Sequence, residues 1–112
     1  MSQLAIDLAT FAELRESTGQ DFTTELVETF AEDLPQMLAT LRQAHAAGDA
    51  TTFRRAAHSI KSNASTFGAL PLASLARALE QSDMAHARRE TLDTLESAGQ
   101  RAVSTLLELC RG

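Results

Sequence analysis

The sequence holds one cysteine, Cys110, so no internal disulfide can staple the chain, and this usage fits a reduced, cytosolic setting. Tryptophan and tyrosine are absent and aromatic residues make up 4%. Together with the small number of β-branched residues, this removes the usual sheet formers and favours helices. No apolar run approaches the ~18 residues of a membrane span, and no basic segment followed by an apolar one marks a signal peptide. A soluble, cytoplasmic protein is therefore expected. Positive charge is also scarce: the net charge is -5 and no basic stripe is present, which excludes the clustered Lys and Arg that hold a phosphate backbone. Neither a nucleic acid nor a membrane is expected as a partner.

What the chain does have is leucine and alanine, within an apolar fraction of 44%. At 112 residues it is expected to form one domain over 1–112, large enough to bury a core without disulfides or metal. Its charge is unevenly placed. Nine acidic residues precede position 54 against only Arg15 and Arg42, whereas the remainder carries eight basic and six acidic residues. The second half is thus locally positive within an acidic protein, which suits an acidic partner surface or an anionic group.

Taken in order, Thr10 and Glu13 fit a capping box and predict a short helix over 11–17, ending at Gly19. From Asp21 the apolar positions Phe22, Leu26, Val27, Phe30, Leu34, Met37, Leu38 and Leu41 step by threes and fours as far as Gly48. Pro35 interrupts this helix without changing the phase of the stripe, so a kink is expected and not two helices. Gly48 and Asp49 supply a stop and a new N-cap, which opens a helix over 50–66 closed by Gly68. Pro71 suits the first turn of the next helix, with Leu72, Leu75, Ala76 and Leu79 buried. A last helix over 87–109 is expected to bury Leu92, Leu95, Ala102, Val103, Leu106 and Leu107. Short connections make neighbours antiparallel. The fold class is all-α: an antiparallel up-down four-helix bundle with a short N-terminal helix packed across one end.

The stretch 53–68 organises the rest. At about 100° per residue, Phe53, Ala56, Ala57, Ile60, Ala64 and Phe67 fall on one stripe, and Arg54, Arg55, His58, Lys61, Ser62 and Ser65 fall opposite it. Lys61 is the only lysine in the chain and stands one turn from His58, where helical neighbours meet. A histidine opposite the apolar stripe is not explained by core packing. Neutral imidazole is a nucleophile near neutral pH, and the small Ser62 and Ser65 leave that face open to an approaching group.

Other chemistries find no support. His45, His58 and His86 lie in three different segments without Glu-x-x-His spacing, so no metal site is expected. There is no Gly-x-Ser-x-Gly turn and no Gly-rich phosphate loop. Without a nucleotide-binding motif, the chain is not expected to phosphorylate itself from ATP.

His58-Ser59-Ile60-Lys61-Ser62 followed by Gly68 resembles the signature H-x-[LI]-K-[GS]-x5-G of the histidine-containing phosphotransfer (HPt) domain of two-component phosphorelays. Leu79-Glu80 matches the Leu-Glu that commonly follows in the next helix of that family. The leading short helix, the acidic helix interrupted at Pro35 and the Gly-Asp turn are similar as well. The resemblance implies that His58 accepts a phosphoryl group on Nε2 from a receiver-domain aspartate and passes it to another receiver. It implies that Lys61 neutralises the phosphoryl oxygens and that Glu80 hydrogen-bonds the other ring nitrogen. Ser62 stands where glycine is common, and serine can donate a hydrogen bond to phosphate there. Ser65 and Arg77 are further candidates for the phosphoryl surroundings, against the plainer reading of solvated side chains. The Mg²⁺ and its acidic pocket belong to the receiver, so no cofactor is expected.

The family docks receivers through an apolar patch beside the histidine, to which its first helix contributes. Ile6 and Phe11 are therefore candidate docking residues if they do not simply close the bundle, and Arg54 and Arg55 join them if they are more than a solvated face. The expected partners are receiver domains or a hybrid sensor kinase, met by a monomer. The competing reading is a phosphorylation-independent docking or inhibitory bundle that uses the same face.

Overall fold

The computed structural model describes residues 4–111, and every regular element among them is helical. Helix α1 spans Leu8–Thr18, α2 Gln20–Ala47, α3 Ala50–Thr66, α4 Leu70–Gln81 and α5 Arg89–Arg111, with a 3₁₀ turn at Met84–His86 before the last helix. Cross-helix pairs set the directions. Phe30 stacks on Phe67 at 5.0 Å and His45 tilts against Phe53 at 5.9 Å, so α2 and α3 are antiparallel. Arg42 donates to Asp93 at 2.7 Å, while Leu34 occupies the space left by the missing side chain of Gly99, which sets α5 antiparallel to α2. Lys61 in mid-α3 meets Glu80 in the last turn of α4, which fixes that pair in the same way.

The expected stripe of α3 is the buried one: Phe53, Ala56, Ala57, Ile60 and Ala64 are all in the core, and Phe67 joins them. α4 answers with Leu72, Ala73, Ala76 and Leu79. Alanine on both helices keeps side-chain bulk out of the interface and lets the axes approach toward the short end of the usual 8–10 Å range. α3 and α4 indeed share the most extensive contact in the molecule. A carboxylate on one helix can therefore reach donors on the other.

Both ends of α3 are fixed by chemistry that the sequence announces. Asp49 accepts from the Thr52 backbone N–H at 3.1 Å and from its hydroxyl at 2.6 Å, and these hydrogen bonds hold the Asp49 carboxyl below its ordinary range. At the other end Gly68 adopts φ +76°. Its carbonyl accepts from the Asp7 N–H at 2.7 Å, which ties the segment before α1 to the α3–α4 turn.

Several local expectations change. α1 begins at Leu8, one turn ahead of the Thr10 box, because the Asp7 carboxylate accepts from the Thr10 N–H at 3.3 Å and its hydroxyl at 2.5 Å. Asp7 is the cap and Thr10 lies inside the helix. α2, by contrast, runs through Pro35 as one helix, as expected. α5 starts at Arg89 and not at 87, since Asp83 accepts from the Ala85 N–H at 3.1 Å and closes the 3₁₀ turn first. Leu75, Val103 and Leu107 are half-buried at the edge of the core, and Phe22 is exposed.

An added Cβ at Gly68 would stand 2.9 Å from both the Asp7 carbonyl oxygen and the Thr10 Cβ, whereas at Gly48, with φ +72°, it would meet nothing within 4 Å. Gly48→Ala is expected to cost about 1 kcal/mol from the left-handed backbone alone, and Gly68→Ala about 3 kcal/mol from that strain plus the clash. Urea unfolding of the two variants checks this; equal losses would remove the close approach of α1 as the reason for Gly68.

Candidate functional site

His58 projects from the wet face of α3, and its side chain is 57% exposed. Its Nδ1 is hydrogen-bonded to Glu80 Oε2 across the α3–α4 interface. The second oxygen of the same carboxylate, Oε1, accepts from Lys61 Nζ at 2.6 Å. One half-buried carboxylate thus serves the ring and the only lysine together. The Lys61 hydrogen bond is the main influence holding the Glu80 carboxyl below its ordinary range; partial burial opposes it and the His58 contact adds to it.

An ionised carboxylate can only accept hydrogen bonds, so the shared proton lies on Nδ1 of His58. In the neutral ring Nε2 then carries the lone pair, and it is on the side of the imidazole away from Glu80. The arrangement presents an oriented nitrogen nucleophile at the surface, with a counter-charge already behind it. Charge that develops on the ring during bond formation is stabilised without any side chain moving.

The open space at His58 is a depression of about 500 Å³ lined by Thr51, Arg54, Arg55, His58, Ser59 and Glu80. Of the expected site residues, the structure brings His58, Lys61 and Glu80 into one hydrogen-bonded group and sets Arg54 and Arg55 at the depression. Ser62, Ser65 and Arg77 are exposed and do not line it. Ile6 and Phe11, expected among the docking residues, are each 1% exposed and belong to the core; among the described residues the exposed large apolar side chains are Leu4, Leu8, Phe22 and Leu70. The reason is the Asp7–Gly68 hydrogen bond, which folds the segment before α1 onto the bundle. Thr51 and Ser59 were missed as neighbours of the histidine. Thr51 was signalled by its spacing of seven from His58, two turns on one helical face, whereas Ser59, next to His58 in sequence, has no such periodic signal.

His45 has a different role: its Nε2 donates to the Ala87 carbonyl at 2.8 Å and holds the approach to α5. Among the described residues no group of three His, Cys, Asp or Glu is placed to hold a metal ion.

A bundle that offers one histidine in this way is matched by a family. The chain matches the Hpt domain over residues 25–109 and belongs to that family, the histidine phosphotransfer modules of phosphorelays. Its structure is similar to the crystal structure of histidine-containing phosphotransfer protein B (HptB) from Pseudomonas aeruginosa PAO1. Sequence identity is 30%, the TM-score is 0.77, and the match covers 98% of this chain and 94% of that one. No curated protein matches the chain. Among the described residues no helix is long and apolar enough to cross a membrane.

Because the Glu80 carboxyl is depressed in the fold, its contribution to stability is present above the ordinary carboxylate range and is lost as pH falls through the depressed value. Wild type is therefore expected to resist urea better than Glu80→Gln at neutral pH, with the gap closing on acidification. A gap that stays constant into strong acid would show that the ionised carboxylate is not what the fold uses.

Proposed function

We propose that His58 is the phosphoryl carrier of this phosphotransfer domain, loaded from the aspartyl phosphate of one receiver domain and unloaded onto the aspartate of another. The Nε2 lone pair attacks phosphorus. An N–P bond forms as the P–O bond to the aspartyl carboxylate breaks, and the electron pair leaves with that carboxylate. No proton has to leave Nε2, because its lone pair is free from the start. The positive charge gained by the ring is shared through Nδ1–H with Glu80, and the reverse sequence unloads the ring. Lys61 is a positioning residue in this scheme, holding Glu80 ionised and in place. The observation that carries the reading is the Nδ1 hydrogen bond to Glu80 on an otherwise exposed ring.

The functional unit takes in 1–112 and not only the matched segment, since Ile6 and Phe11 share the core of the four longer helices. It acts as a monomer in the cytoplasm, and a receiver or hybrid sensor kinase is the partner from which phosphate arrives. Ser62, Ser65 and Arg77 are exposed residues that a docked receiver would cover in this reading.

Incubation with a phosphorylated receiver is expected to move label to the protein in an acid-labile, base-stable form, and His58→Gln to take up none. Lys61→Ala and Glu80→Gln are expected to fold and to transfer about tenfold more slowly, the scale of an orienting partner's loss. Label on His58→Gln would sink the assignment. A His58→Gln protein that binds the receiver normally and supports full signalling would favour a phosphorylation-independent docking module instead.

A further inference from the structure

Lys61 is not among the residues that line the depression at His58. Glu80 takes Nδ1, and His58 shares its depression with Thr51, Arg54, Arg55, Ser59 and Glu80 itself. Side chains on a helix lean toward its N-terminus. His58 therefore leans over the turn that carries Arg54 and Arg55, four and three residues before it, and away from the turn that carries Ser62 and Ser65.

The charges follow the same division. Lys61 is bound to Glu80 at 2.6 Å and Arg42 is bound to Asp93 at 2.7 Å. Among the described residues, neither Arg54 nor Arg55 is within ion-pair distance of a carboxylate. Two arginines without a salt bridge thus line the same open depression as His58, Arg55 lying near enough to Asp49 to help lower its carboxyl. A phosphoryl group brings about two negative charges and three acceptor oxygens, which the planar fork of a guanidinium fits better than a point-like ammonium does.

Resting on the reading of His58 as phosphoryl carrier, we propose that Arg54 and Arg55, and not Lys61, hold the oxygens of the phosphoryl group during and after its transfer to Nε2. They are catalytic residues in contact with the transferred group, while Lys61 works one step behind through Glu80.

The test uses phosphoramidate, a donor too small to need a docking surface, whose P–N bond breaks with release of ammonia as the bond to His58 forms. Phosphohistidine is followed by ³¹P NMR in wild type, Arg54→Gln/Arg55→Gln, Arg54→Lys/Arg55→Lys, and Arg101→Gln as a control for lost charge on α5. The glutamine pair is expected to load at least about tenfold more slowly, the lysine pair to recover part of the loss, and Arg101→Gln to match wild type. Added NaCl is expected to slow wild type more than the glutamine pair, because the attraction is screened. Wild-type loading by the glutamine pair would overturn the proposal, and slower transfer from a receiver by that same pair would make the arginines docking residues. If wild type takes no phosphoryl group from either donor, the carrier reading of His58 falls first and the proposal with it.

Discussion

The carboxylate of Glu80 is shared between His58 Nδ1 and Lys61 Nζ, and most of the architecture can be understood as the means of placing it. A shared carboxylate needs two helices close together and correctly staggered. Closeness comes from alanine at the α3–α4 interface, and stagger comes from the fixed ends of α3: the Asp49 cap before it and the Gly68 turn after it. With both oxygens occupied, the carboxylate has one favourable orientation, and that orientation decides which ring nitrogen is available.

Exposure differs along this short chain of contacts, and the difference suits the chemistry. The His58 side chain is more than half exposed, but that of Glu80 is only 18% exposed and that of Lys61 29%. A partner surface can reach the ring without disturbing the groups behind it. Because the counter-charge is supplied from within the bundle, removing water from the ring on docking strengthens the His58–Glu80 contact. The protein needs no rearrangement to stabilise a charged ring in a dry interface.

The wet and dry faces of α3 were readable in advance because a helical period separates them by geometry alone, and burial follows that division residue by residue. The pairing of Glu80 with His58 came from likeness of motif, since periodicity says nothing of how two helices are staggered. Three things stayed hidden for identifiable reasons. Asp7 and Thr10 are both good caps, and only the fold shows that the free N–H groups of the first turn follow Asp7, whose carboxylate accepts from that of Thr10. Ile6 looked like a surface anchor because nothing local reveals that a backbone hydrogen bond to Gly68 folds its segment inward. The place of Thr51, Arg54, Arg55 and Ser59 around one depression with His58 depends on side-chain direction, which a helical wheel discards.

Glu80 lies one residue from the end of α4, at a place where helices fray. The residues that follow are unusually well tethered for a connection: Asp83 closes the 3₁₀ turn, Ala87 is buried, and His45 donates from α2 to its carbonyl. Those tethers oppose local opening of the last turn of α4. The orientation of His58 thus rests on contacts made well outside the site, at the junction of α2 with the turn before α5.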